Sequence, residues 1–455
     1  MKKLHQIALA AACTALTGQA FALNVAATTA IPASNQLYIA GSSALQTVIE
    51  GLLTQNCAAG TYTKYKGLAG SAAGTGDSTN GNSHNAYSCT LIAGSDFGAT
   101  FSGTNIVIVK REAGGSAFGV FPLVTGAAQI AMLDLASCND GDQTCNATVN
   151  KQPHAGVSDL EPVAFNYAVN KASAFSASAA VTSASFRSSF AVADQIFALV
   201  VNNNLYSALQ AVQGTSGTPS VSSSAFASIF ATGYDSGTLG WLPFGKSIST
   251  PTNQVNVCSR GIGSGTRATA QIQFLQLPYN PAAPAVAVPG DSTAGATRGG
   301  NTAGAKFYSE ESSSGNVVSC VAAANAPGGY SIGIVGADRD LSGTGTHFVN
   351  LDNQVAGRAT AKEGNYSWVF ESFYQTARPL VASTSTTLLA NAFGQAFKKP
   401  VNINAVSPTA ANGVMATPLN CSGSTASDWV LAEELAACSR VSRSGDSRLP
   451  LTFIK

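Results

Sequence analysis

Val255-Asn256-Val257-Cys258-Ser259-Arg260-Gly261-Ile262-Gly263-Ser264-Gly265-Thr266 decides how this chain of 455 residues is read. Val255 to Arg260 alternates β-branched and polar residues and predicts a strand. The Gly/Ser/Thr run from Gly261 to Thr266 cannot prolong it and predicts a turn. Arg267 to Leu275 then carries Ala268, Ile272 and Leu275 at helical spacing, so a helix follows. Strand, turn and helix in succession point to an α/β protein with a parallel sheet under covering helices.

The same grammar recurs along the chain. Leu37-Tyr38-Ile39-Ala40 reads as a strand that breaks at Gly41-Ser42-Ser43. Ala44 to Leu53 then places Leu45, Val48, Ile49, Leu52 and Leu53 at helical spacing. Asn105 to Val109 is a second apolar run, followed by Gly114-Gly115-Ser116. A third turn reads at Gly156-Val157-Ser158-Asp159. Ile196 to Val201 and Gly329 to Val335 are β-rich, Phe226 to Phe230 is helical, and Trp368 to Leu380 mixes aromatics in the manner of a strand and turn. Thr61 to Asn85 falls to Gly, Ser, Thr and Asn and predicts an exposed insertion. Ser137 to Asn150 predicts a pinned loop, and Pro278 to Asn301 a Pro/Ala/Gly-rich one.

A helix N-terminus offers unpaired backbone N–H groups and about half a positive charge, so a Gly/Ser/Thr turn that opens a helix is a socket for an anion. The same turn also serves as an ordinary helix cap, and a single one decides nothing. The fourth turn adds Arg260, whose planar guanidinium can grip two oxygens of a tetrahedral anion. The plainer alternatives are a surface Arg260 beside a loop and an Asp159 that caps a helix.

Composition bounds the rest. The chain is 45% hydrophobic and 10% charged, with 21 Phe and 12 Tyr, which excludes a coiled coil or a disordered chain and suffices for a sizeable core. Lys2 and Lys3, an apolar run from Ile7 to Leu16 and Ala20-Phe21-Ala22 form the order of a secretory signal, residues 1–22, so a periplasmic or secreted product is expected. Small residues precede Cys13, a possible lipid anchor, but no Leu stands three positions before it. Losing Lys2 and Lys3 leaves 22 basic against 23 acidic side chains, a balance that draws neither nucleic acid nor anionic membrane. Eight cysteines remain after Cys13 departs, an even number that predicts four disulfides in an oxidising compartment. Eight cysteines allow 105 pairings; the shortest loops come from pairing Cys57 with Cys89, Cys138 with Cys145, Cys258 with Cys320 and Cys421 with Cys438. No C-x-x-C occurs and His84, His154 and His347 are scattered, so no metal site and no cofactor is expected.

Ser259-Arg260-Gly261-Ile262-Gly263-Ser264-Gly265-Thr266 resembles the R-x-x-G-S-G-T signature of the phosphate-binding proteins of ABC transporters, within the type 2 periplasmic binding protein fold. Ile39-Ala40-Gly41-Ser42-Ser43-Ala44 is similar to that family's first turn, Gly115-Ser116 to its second, Gly156-Val157-Ser158-Asp159 to its G-x-S-D, and Gly329-Tyr330-Ser331-Ile332-Gly333-Ile334-Val335 to its returning strand. The resemblance spans most of residues 36–380. It implies two α/β lobes, residues 23–196 with 337–455 and residues 197–336, joined by crossing strands. It implies an anion held by Ser43, the amide of Ala44, Ser116, Asp159, Arg260, Ser264, Gly265 and Thr266. It also implies a non-enzymatic monomer that captures inorganic phosphate or a related oxyanion for an ABC transporter membrane complex.

A carboxylate such as Asp159 tolerates an anion only by accepting a proton that the anion still carries, which favours hydrogen phosphate over sulfate. Ala44 departs from the family's aromatic residue, and the insertions at 57–89 and 278–301 are large. Exported relatives of this fold include phosphatases, which leaves a phosphatase as an alternative, although no paired base for Ser43 or Ser264 and no acidic ligand cluster reads from the sequence. A surface structural protein with a vestigial site is the third reading.

Overall fold

The computed structural model describes residues 22–67, 83–124, 129–231, 255–276, 306–323, 329–378, 384–404, 412–421 and 438–453. The predicted signal with Cys13, apart from Ala22, and the Pro278–Asn301 loop lie outside the described residues.

The expected α/β class holds, but the sheet is mixed, not all parallel. Among the described residues one sheet of 14 strands runs through the molecule. On one side Gln36–Gly41 pairs in parallel with Ala155–Ser158 and with Asn105–Arg111. On the other, Val255–Arg260 pairs in parallel with Lys306–Glu311 and with Tyr330–Gly336. Between these two parallel groups lie antiparallel strands. Ser188–Asn202 spans 15 residues. Its residues from Ser188 to Ile196 pair with Val369–Thr376 and those from Phe197 to Val201 with Tyr330–Gly336. Val369–Thr376 in turn pairs with Ala155–Ser158. Two antiparallel strands thus stitch the parallel groups together, which a local reading of strand and helix alternation does not reveal.

The long strand is buried over its last eleven residues because apolar side chains project to both faces. One core gathers Ile196, Phe197, Leu199 and Val201 with Phe226, Phe230, Ile332 and Trp368. A second packs Leu37, Ile39, Val48, Leu52, Ile106 and Ile108 against Phe393 and Phe397 of the helix Thr384–Phe397.

Several local expectations shift. Val255–Arg260 is a strand with the bounds read from the sequence. The segment Thr61–Asn85 is not simply an exposed insertion: Thr63–Gly67 and His84–Thr90 are paired strands of the main sheet. Thr63 and Tyr65 are buried there while Lys64 and Lys66 face outward, a two-residue period hidden by low hydrophobicity. Gly156 to Ser158 belong to a strand, so the third turn begins only at Asp159. After Val201, Asn202 caps the helix Asn203–Gln213 by accepting from Leu205 N. Ser137–Asn150 contains the short strands Thr144–Cys145 and, from Thr148, Thr148–Lys151. The cysteines pair as Cys57–Cys89, Cys138–Cys145, Cys258–Cys320 and Cys421–Cys438. No helix among the described residues is long and apolar enough to cross a membrane.

Candidate functional site

In a parallel α/β sheet the carboxyl ends of the strands, where loops lead into helices, form the place at which ligands meet. Five such ends converge here. Gln36–Gly41 delivers Ser42 and Ser43, Asn105–Arg111 leads to Ser116, Ala155–Ser158 delivers Asp159, Val255–Arg260 leads to Ser264–Thr266, and Lys306–Glu311 leads to Ser314. Ser42, Ser43, Ser116, Asp159, Arg260, Ser264, Thr266 and Ser314 are all at most 3% exposed, so burial turns every contact among them into a low-dielectric one.

Asp159 stands at the centre. Its Oδ1 accepts from Ser42 Oγ and its Oδ2 from Thr266 Oγ1 at 3.3 Å. Its own N–H donates to Ser116 Oγ at 3.1 Å. Burial raises the Asp159 pKa, while Ser42, the Arg260 charge, Thr266 and Ser116 oppose the rise. The helix-cap alternative is not realised: the following 3-10 helix Pro162–Asn166 is preceded by Glu161 as its cap residue.

Arg260 is equally committed, which removes the surface-arginine alternative. Its Nε donates to Glu311 O at 3.1 Å and its Nη2 to Ser312 O at 3.0 Å. Its Nη1 donates to Ser43 Oγ at 3.0 Å and to Ser314 Oγ at 3.2 Å. The two-oxygen grip expected of the guanidinium is therefore altered: backbone carbonyls hold the Nε side, and the Nη1 edge faces the first turn. Burial lowers the Arg260 pKa to about 10, with Asp159 holding it up, so the guanidinium stays charged at neutral pH.

The other expected residues divide. Ser264 caps the helix Gly265–Leu275 by accepting from Arg267 N at 3.4 Å. Gly265 lies against the opposite group of strands, where a Cβ would meet Ser116 Oγ at 2.4 Å and Asp159 Oδ2 at 2.6 Å; only glycine permits that approach. The Ala44 amide, implied as an anion donor, donates to Ser42 Oγ at 3.0 Å in this structure. Backbone contact between the groups is direct as well, since Ala117 N donates to Gly263 O at 2.8 Å.

Three participants escaped sequence reasoning. Ser42 lies in the first turn beside Ser43, the residue that the resemblance implies; only the fold shows which hydroxyl meets Asp159. Lys110, fully buried, donates its Nζ to Gly41 O at 3.1 Å, Ser42 O at 2.9 Å and Arg111 O at 3.0 Å. It thereby gathers the carbonyls of the first turn. Burial pulls its pKa down to about 8 against the pull of Glu112 and Asp159. A Lys-Arg-Glu run closing an apolar strand was the available signal. Ser314 opens the helix Ser314–Ala323 after a strand that ends Glu310-Glu311; its Ser312-Ser313-Ser314-Gly315 turn has the same grammar as the other four.

The cluster offers hydroxyl and guanidinium donors around one carboxylate acceptor, a set suited to holding a small oxyanion that retains a proton. It does not hold a serine–histidine pair. His84 meets Arg111 Nη1 at 3.2 Å, His154 Nδ1 accepts from Tyr38 N at 3.2 Å and His347 meets Asn203 Oδ1 at 2.6 Å. Among the described residues no group of three His, Cys, Asp or Glu side chains could hold a metal.

The sequence matches no family model and no curated protein. Solved structures do resemble the chain. One assigned as a phosphate ABC transporter substrate-binding protein with bound phosphate, from Clostridium perfringens, shares 12% identity at a TM-score of 0.39, covering 79% of this chain and 92% of that one. An ABC-type phosphate transport receptor from Vibrio cholerae shares 9% at 0.35, covering 82% and 96%. PstS from Borrelia burgdorferi shares 10% at 0.30, covering 79% and 92%.

Proposed function

We propose that this chain is an exported, non-enzymatic solute-binding protein that captures phosphate, or a related tetrahedral oxyanion, between two α/β lobes. The lobes are residues 23–196 with 337–455, and residues 197–336. The observation that carries the reading is the meeting of Arg260, Asp159 and a set of buried serine and threonine hydroxyls at five strand ends from both parallel groups. Ser43, Ala44, Ser116, Asp159, Arg260, Ser264, Gly265 and Thr266 form the proposed ligand set. Arg260 and the hydroxyls neutralise the anion's charge, and ionised Asp159 accepts the proton that hydrogen phosphate carries and sulfate lacks. The crossing strands act as the hinge, and lobe closure couples occupancy to shape in a form that an ABC transporter membrane complex can read. The product acts as a monomer in the periplasm or outside the cell.

A thermal-shift screen of the mature protein over phosphate, sulfate, molybdate and phosphate esters tests the reading, because a ligand that binds the folded state raises its melting temperature. Arg260→Ala weakens phosphate binding by more than about 1.5 kcal/mol, the scale of a charge-assisted hydrogen bond; unchanged affinity by titration calorimetry removes Arg260 from the site. Turnover of a chromogenic phosphate ester that disappears on mutating Ser43 or Ser264 favours a phosphatase instead. Neither binding nor turnover favours a structural protein.

A further inference from the structure

We propose that Ser314 is a positioning residue of this site: its hydroxyl donates to Ser43 Oγ and leaves Ser43 able only to donate toward a bound anion. The inference rests on the oxyanion reading above. Arg260 Nη1, Ser43 Oγ and Ser314 Oγ form a triangle, with Nη1 at 3.0 Å from Ser43, 3.2 Å from Ser314, and the two hydroxyls 3.1 Å apart. Both serines are at most 2% exposed, so water does not settle their hydrogen bonding.

Donor counting gives the consequence. Nη1 carries two hydrogens and the two hydroxyls accept one each. A hydroxyl has one hydrogen and two lone pairs. Once Ser43 Oγ accepts from Nη1 and from Ser314, both its lone pairs are filled and its own hydrogen must point elsewhere. The geometry allows the Ser43–Ser314 bond to run either way; in the oxyanion reading Ser43 offers its hydrogen to the anion, and the bond between the two hydroxyls then runs from Ser314 to Ser43. The chain from Ser314 through Ser43 to the anion polarises each bond in turn. Ser43 then reads an oxygen without a proton, while Asp159 reads the oxygen that has one. Ser314 is held for this task by its segment: Glu311 O and Ser312 O bind the far side of the same guanidinium, which stays aligned when the Ser314 hydroxyl is removed.

Titration calorimetry with inorganic phosphate on the wild type, S314A, S314T, S43A and the S43A/S314A double variant tests this. S314A is expected to weaken phosphate binding roughly two- to tenfold, the worth of one hydrogen bond, and S314T to restore wild-type affinity. The double variant is expected to bind no worse than S43A, because Ser314 acts through Ser43; a purely structural loss persists in the S43A background and adds to it. Additive losses, or an S314A variant with wild-type affinity, overturn the proposal while the oxyanion reading stands. If S314A does not fold, S314V against S314T compares the same shape with and without the hydroxyl, and equal affinities overturn the proposal. A wild type that gives no heat with phosphate and no thermal shift with any oxyanion removes the oxyanion reading itself, and this inference with it.

Discussion

Gly265→Ala places one methyl group between the two groups of strands. A Cβ at Gly265 meets Ser116 Oγ at 2.4 Å, Asp159 Cβ at 2.6 Å and Asp159 Oδ2 at 2.6 Å, about 1 Å closer than the roughly 3.5 Å of a favourable contact. All three atoms belong to side chains that are at most 2% exposed, so none can swing into solvent. Overpacking of this kind costs about 1–3 kcal/mol, which corresponds to roughly 5- to 150-fold in an equilibrium constant. Local helix propensity acts the other way, favouring Ala over Gly by up to about 1 kcal/mol at the start of Gly265–Leu275. If the groups of strands part when no anion is bound, the clash falls on binding, and phosphate affinity drops while the melting temperature holds or rises. If they remain together throughout, the melting temperature drops instead. Gly261→Ala is the matched control in the same turn, because its Cβ meets only Glu310 Oε2 at 3.7 Å, an ordinary contact. Calorimetric titration and thermal melting of both variants decide the matter: a Gly265→Ala protein that binds phosphate and melts like the Gly261→Ala control refutes the tight approach of Gly265 to Asp159.

Other expectations follow from the same contacts. Asp159→Asn narrows the preference for phosphate over sulfate in a competition titration, since an amide can donate to a proton-free oxygen; unaltered selectivity removes the carboxylate from recognition. Because burial raises the Asp159 pKa, lowering the pH through that raised value protonates the carboxyl and narrows the wild-type preference in the same direction. His84, buried beside Arg111, has its pKa lowered to about 4 by burial first and the Arg111 charge second. The stability that its neutral form contributes is present above about pH 6.5 and is lost as pH falls toward 4. The stability gap between wild type and His84→Gln therefore shifts against the wild type by up to about 3 kcal/mol over that range, and a gap independent of pH in urea titrations contradicts the assignment. Replacing both Cys258 and Cys320, 62 residues apart, by Ala costs about 4 kcal/mol in the chain-entropy account, and an unchanged unfolding midpoint counts against that pairing.

Much of the local architecture is legible in the sequence. The strand Val255–Arg260, the turn after it and the helix beginning near Gly265 lie where composition puts them, because β-branched alternation, glycine punctuation and a serine cap are interactions between near neighbours. Cysteine pairing by shortest loop also matches, since residues close in sequence meet with little loss of chain entropy. The strand Thr63–Gly67 is not legible: Tyr65 is opposite Ala86 and its neighbour Lys66 opposite Thr144 across the sheet, Tyr65 is buried with Tyr38 and Val107, and the Gly/Ser/Thr-rich segment around it carries no apolar signal of its own.

Residue types that can surround an oxyanion, and the turns on which they sit, were thus properties of the amino-acid order. Which of them meet was decided by the tertiary structure alone. Ser42 rather than Ser43 reaches Asp159, across 117 positions; Lys110 gathers the first turn; Ser314, 271 positions from Ser43, shares its guanidinium. Contacts over such separations depend on strand order and on the burial of charged groups that have no partner nearby in the chain, and neither is written in any short window of residues.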